Sequence, residues 1–244
     1  MNFEDFTENN YRKILNKINN KTIFYDEIDK YQSFTLWRHD IDFSVHRSVS
    51  LAIIENEENI LSTYFLQLGS KFYNLFEQEI KEKIFKILEL GHKIGLHFDP
   101  TQYDIESKKE LEKYLKFEKN ILEKLFDTQI TVFSFHNPTT DILKFEDFKY
   151  ANMINTYAKY FSENVKYCSD SNGYWRFERL EDFLDRKYEK IQVLTHPAWW
   201  QKETMSPFER IKRSVYGRCD KILKDYEESL RKHGRKNVKW NKSI

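Results

Sequence analysis

The sequence predicts an α/β fold built on a mainly parallel sheet. Short runs rich in β-branched and aromatic residues alternate with longer runs of helical periodicity. The alternation yields about seven β/α units within 244 residues, as a parallel sheet requires, whether open or closed into a barrel. Histidines and aspartates also collect at the C-terminal ends of the strand-like runs, where such sheets carry their functional groups.

Taken in order, residues 10–19 read as a helix and Thr35–Asp42 as the first strand. Ser44 is placed to cap a helix running to about Asn59, with Val45, Val49, Ala52 and Ile53 at helical spacing. Ser62–Leu66 is a second strand, and Leu75–Leu90 an amphipathic helix stopped by Gly91. Ile94–Phe98 is a third strand, Ile105–Phe126 a long helix and Thr131–Phe135 a fourth strand. Between 140 and 175 the pattern thins to two short candidate strands, 154–157 and 166–168. Leu180–Tyr188 reads as a helix, Ile191–Thr195 as a strand and Phe208 to about Lys232 as a long last helix.

Forty basic side chains nearly cancel 39 acidic ones, which argues against a general polyanion or nucleic-acid binder. Six glycines and four prolines leave no linker. The expected organisation is a helical N-terminal segment over 1–30, one domain over 31–228 and a basic, solvated tail over 229–244. Cys168 and Cys219 lack zinc-motif spacing and are too few for a disulfide framework. The acidic N-terminus has no apolar signal-like stretch, and no run approaches the roughly 18 apolar residues of a membrane span. These features read as a soluble cytoplasmic protein.

Side chains alternate along a strand, so Arg38, Asp40 and Asp42 share one face of the first strand, while Trp37, His39 and Ile41 take the other. His97 and Asp99 share a face at the end of the third strand. His136 follows the fourth strand and His196 the last. Two apposed carboxylates repel unless a cation offsets them, and oxygen with imidazole donors suits a divalent metal. His39 is expected in buried structure, His92 in a turn, and His46 and His233 at the surface.

At these residues the sequence resembles the polysaccharide deacetylases, the NodB-homology domain of carbohydrate esterase family four, in a branch with Arg-His-Asp-x-Asp near its start. The resemblance runs from about Leu36 to Trp200. It rests on the order of Arg38-His39-Asp40-Ile41-Asp42, Ser62-Thr63-Tyr64-Phe65, Gly91-His92-Lys93-Ile94-Gly95-Leu96-His97, Phe135-His136-Asn137-Pro138 and Leu194-Thr195-His196-Pro197. It implies a distorted (β/α)7 barrel and a metal-dependent hydrolase removing an N-acyl group from a sugar or glycan precursor. Asp40 would be the general base, Asp42 and His97 metal ligands and His196 the general acid. The family's second metal histidine falls at Thr101 here, so His136 is the candidate third ligand and Asp99 the runner-up. Zinc is the first choice of ion, with cobalt, nickel or iron compatible. Arg38 is placed to orient Asp40, and Arg38, Asp170, Trp175, Arg176 and Trp199 are the candidate substrate contacts, with Trp200 an alternative to Trp199. Two rival readings remain: a non-catalytic carbohydrate-binding descendant, and an Asp-x-Asp glycosyltransferase using a nucleotide sugar.

Overall fold

The computed structural model describes residues 3–175 and 178–238. Its strands are β1 (Phe34–Ile41), β2 (Ser62–Leu66), β3 (Lys93–Phe98), β4 (Val132–Phe135), β5 (Lys149–Tyr150), β6 (Met153–Asn155), β7 (Lys166–Ser169) and β8 (Lys190–Thr195). They form one sheet in the order β5-β6-β4-β3-β2-β1-β8-β7. Every pairing is parallel except β5 with β6. The seven parallel strands match the seven units read from the sequence, and β5 is an added hairpin arm. Ala151 and Asn152, at φ 50° and 61°, make the two-residue turn that joins β5 to β6, as a primed hairpin turn requires.

Among the described residues β5 and β7 are not paired with each other, so the barrel stays open in its hydrogen bonding. Helix α5 (Lys159–Asn164), the fifth in chain order, crosses from β6 to β7 and drives Phe161 into the interior. The other helices are α1 (Glu8–Leu15), α2 (Val45–Glu57), α3 (Gln78–Glu89), α4 (Lys108–Phe126), α6 (Leu180–Asp185) and α7 (Pro207–Lys232). Local chemistry sets their ends. The Ser44 hydroxyl accepts from the Arg47 N–H at 3.3 Å, and the Ser107 hydroxyl does the same for Glu110 at 3.3 Å. Gly91, at φ 88°, turns the chain out of α3.

Alternation along β1 divides the core in two. Phe34 and Leu36 point inward with Phe65, Val132 and Ile154, and Tyr25 and Ile28 close the bottom of this interior. The outward residues pack under the helices, Ile41 against α2, α3 and α4, and Trp37 against α1 and the last turns. Each large apolar side chain so buried contributes about 1.5–3 kcal/mol. Gly95 belongs to the inner face. A Cβ there would come within 2.7 Å of the Phe65 ring, so glycine makes room for that ring just below His97.

The expected face of α2 needs one correction. Ile53 is exposed, whereas Glu55 is buried, because Glu55 finds hydrogen-bond donors under the helix. The N-terminal segment packs into the same body: Phe6, Tyr11 and Ile14 join the outer core, Thr7 bridges to Gln201, and Thr22 bridges to Thr35. The last helix, α7, ends at Lys232, as the sequence pattern predicts. No helix among the described residues is long and apolar enough to cross a membrane.

Candidate metal centre

Four parallel strands deliver their last inward side chains to one place above the sheet. β1 brings Asp40 and, one residue past its end, Asp42. β3 brings His97, β4 leads into His136, and β8 leads into His196. Three ligand-type atoms form a nearly equilateral triangle. His97 Nε2 lies 3.1 Å from Asp42 Oδ1, His136 Nδ1 lies 3.2 Å from the same oxygen, and the two ring nitrogens are 3.1 Å apart.

A zinc-type ion bonded at about 2.0–2.1 Å to four tetrahedral donors separates any two of them by roughly 3.3–3.4 Å. The triangle is close to one face of that tetrahedron. The donor set, one carboxylate and two imidazoles, suits Zn, Co, Ni or Fe. Asp99 is engaged elsewhere: its Oδ1 accepts from the Thr101 backbone at 3.0 Å and the Thr101 hydroxyl at 2.7 Å, and its Oδ2 from Gln67 at 3.2 Å.

The ring orientations are fixed from behind. His97 Nδ1 is 2.7 Å from Ser134 Oγ, which stands 3.5 Å from Asp40 Oδ1. With Nδ1–H donating to Ser134 and its hydroxyl directed at Asp40, His97 Nε2 presents a lone pair to the triangle, the arrangement a metal-ligating imidazole uses. Asn137 sits in the left-handed region at φ 44° and brings its carboxamide to 2.9 Å from His136 Nε2, a conformation Asn tolerates better than most residues. Ser134 is two residues before His136 on one strand face. The same alternation that grouped Asp40 with Asp42 was the available sequence signal for it.

Beside the triangle lie a base-like and an acid-like group. Arg38 grips Asp40 with two bonds, Nη2 to Oδ2 at 2.7 Å and Nε to Oδ1 at 3.3 Å, and both side chains are buried. Burial alone would raise the Asp40 pKa, but Arg38, then His97 and His196, bring it below the ordinary value. His196 Nδ1 lies 2.5 Å from Asp170 Oδ1, and the His196 backbone N–H donates to the same carboxylate at 3.0 Å. His196 Nε2 then faces Asp42 Oδ2 at 3.8 Å. Burial would lower the His196 pKa; the Asp170 charge and hydrogen bond, with Asp42 and Asp40, raise it to about 9. Asp42 is held low against its burial by His136 and His97. His136 is raised by its contact with Asp42, against burial.

A cleft of about 650 Å³ is lined by Asp42, His136, Asp170 and His196, while Asp40 and His97 are buried. Phe43, Phe72 and Trp199 give it an apolar side, with Phe43 edge-on to Trp199 at 5.4 Å, and Gln67, Lys71 and Asn172 give it a polar one. The expected substrate contacts therefore separate. Trp199 lines the cleft. Trp175 does not: it stacks on Phe6 at 5.0 Å and meets Trp200 edge-on at 6.3 Å, filling the outer core. Trp200 is fully buried there too. Asp170 spends both oxygens on His196 and lies beneath it, and Arg38 is sealed behind Asp40. Both position a neighbour, and Asp170 also lines the cleft. Arg176 lies outside the described residues.

No family model and no curated protein matches the chain. Among solved structures it is similar to a CE4 family pseudoenzyme from Bacillus anthracis, at 14% identity and a TM-score of 0.43, covering 78% of this chain and 62% of that one. The chain thus spans less than two thirds of that protein's length. It is also similar to a family 4 acetyl xylan esterase from Clostridium thermocellum, solved with a cobalt ion, at 12% identity and a TM-score of 0.43 over 75% and 84% of the two chains. A deacetylase from Streptococcus pyogenes, in complex with acetate, gives 12% identity and a TM-score of 0.42 over 84% of each.

Proposed function

We propose that the protein is a metal-dependent hydrolase that removes an N-acyl group from a sugar or glycan precursor. The observation that carries this is the triangle of Asp42, His97 and His136, flanked by a buried, arginine-held aspartate and by an aspartate-held histidine that lines the cleft.

Asp42 Oδ1, His97 Nε2 and His136 Nδ1 would hold the ion, zinc being the first choice. A bound ion supplies Lewis-acid polarisation of a carbonyl and a more acidic water. Asp40 is the general base. Arg38 keeps it ionised and fixes its plane, so it accepts the proton of the attacking water as that water adds to the acyl carbon. His196 is the general acid. Asp170 keeps Nδ1 occupied and the ring protonated, so Nε2 is free to donate to the leaving amine as the C–N bond breaks. Trp199, with Phe43, offers an apolar face for a sugar ring. The balance is one water consumed, one carboxylic acid released and one amine released.

The test is acetate release from a panel of N-acetylated mono- and oligosaccharides, using protein loaded with Zn²⁺ or Co²⁺. Release that requires the ion supports the reading. A stoichiometrically loaded protein that binds saccharides and releases nothing supports the non-catalytic reading instead. The glycosyltransferase reading fits less well, since Asp40 is enclosed by Arg38 rather than offered to a nucleotide-bound cation.

A further inference from the structure

The sheet does not close between β6 and β7, and α5 spans the gap. Beside α5 lies a cavity of about 350 Å³, a size that suits a small ligand. It shares no wall residue with the cleft at the metal centre. Ala158, Phe161 and Val165, with the rings of Tyr157 and Tyr167, give it apolar walls. Ser162 and Tyr167 are exposed and stand at its mouth.

Its base is polar. Arg38 is buried and belongs to the cavity wall, although Asp40 does not. A guanidinium carries five N–H donors in one plane. Asp40 takes two of them, from Nε and Nη2. Aromatic rings hold the group in place, since its central carbon lies 5.1 Å from the Phe65 centroid and 5.6 Å from that of Tyr157. Gln192, also buried in this wall, accepts the Tyr25 hydroxyl at 3.1 Å through Oε1, which leaves its Nε2 as a donor. Thr156, a further wall residue, keeps a buried hydroxyl with no partner among the described residues. Among the described residues no acidic side chain lines the cavity. Lys166 lines it, but its ammonium lies over the Tyr188 ring at 5.9 Å. That leaves Arg38 as the charged group at the base.

Hydrogen-bond donors are therefore in surplus at one end, and apolar surface surrounds the rest. A planar, two-oxygen acceptor matches the edge of a guanidinium, and an apolar body gains by leaving water for such walls. We propose that this cavity binds a small carboxylate with an apolar body, its head on Arg38 and its chain among Tyr157, Phe161 and Tyr167. The same guanidinium holds Asp40, so an occupant reaches the candidate base through one residue. The site itself does not depend on the reaction proposed above.

Calorimetric titration of the full chain with hexanoate tests it. The expected result is one site per chain with a dissociation constant of about 1 mM or below, as suits a ligand of this size. Acetate, which has the head without the chain, should bind about 10-fold more weakly or worse. Hexanol and hexylamine, which have the chain without the anionic head, should lose about as much. Ser162→Trp at the mouth and Ala158→Phe in the wall should each abolish saturable binding with an unchanged circular dichroism spectrum. His97→Ala should bind hexanoate like the wild type, because a carboxylate seated on a bound ion would lose its place there. The proposal is overturned by absent hexanoate binding, by equal binding of hexanol or hexylamine, or by loss of the site in His97→Ala. Wild-type affinity in both Ser162→Trp and Ala158→Phe would overturn it as well.

Discussion

Two polar constellations lie on opposite faces of β1, one residue apart in sequence, and they are built to opposite ends. On the outer face His39 Nε2 meets Glu55 Oε1 at 2.5 Å, and His39 Nδ1 meets the Thr195 hydroxyl at 2.7 Å. Tyr64 donates to Glu55 at 2.6 Å, Tyr11 donates to it as well, and the Trp37 indole donates to Tyr11 at 2.7 Å. Every principal group has a partner, and Glu55 and His39 are wholly buried. On the inner face the same residue types leave three ligand atoms aimed at one point beside open solvent. Composition does not separate structure from chemistry here. What separates them is whether each acceptor already has its hydrogen. A satisfied network rigidifies a core, whereas three ligand atoms converging beside a cleft could hold a metal ion.

The largest effect should come from breaking the inner set. His97→Ala is expected to remove bound ion and at least 10⁴-fold of turnover together, read by elemental analysis and acetate release. Asp40→Asn should keep the ion and lose about 10²–10⁴-fold in kcat, the usual range for one general base. If it loses the ion instead, Asp40 is a ligand and not the base. Asp170→Asn should lower the His196 pKa, shift the alkaline limb of the kcat/KM profile to lower pH and leave ion content unchanged. An unmoved limb would remove Asp170 from its positioning role.

Breaking the outer set should cost stability and spare the metal. Glu55→Gln is expected to destabilise by about 3–5 kcal/mol, the range for opening a buried, charge-paired site, with wild-type ion stoichiometry. Urea unfolding measures this. Burial would raise the Glu55 pKa, but His39, His92 and Tyr11 hold it at about 2. Its contribution is therefore complete above the ordinary carboxylate pKa and lost as pH falls toward 2. Glu118 behaves in reverse. Burial raises its pKa to about 7, although Tyr103 donates to it at 2.6 Å. The folded protein then binds the extra proton, and stability falls as pH rises from 4.5 to 7 by about 3 kcal/mol. Glu118→Gln should flatten that fall, giving a more stable protein at pH 8 and little change at pH 4.

The sequence made the sheet and the inner constellation readable because both follow from alternation. Hydrophobic runs marked β1, β2, β3, β4 and β8, and period two placed Asp40 with Asp42 and gave His39 to the other face. β5 and α5 were not readable. The first is two residues long and turns on an alanine at positive φ, and the second is six residues with a single buried anchor, Phe161. Glu55 was missed because a charged residue on a helix is ordinarily solvated, and its partners come from three other elements, α1, β1 and β2. The packing of Trp175 was not readable because a tryptophan's environment depends on tertiary contacts, here on Phe6 at the far end of the chain. The proposed choice of His136 over Asp99 draws on Thr101, whose hydroxyl and N–H both donate to Asp99 Oδ1.

That choice is also where the account is tested most directly. Calorimetric titration of metal-free protein with Zn²⁺ should give one site per chain, at least 100-fold weaker in His136→Ala and unchanged in Asp99→Ala. Wild-type affinity in His136→Ala, or loss of the site in Asp99→Ala, would contradict the centre of Asp42, His97 and His136.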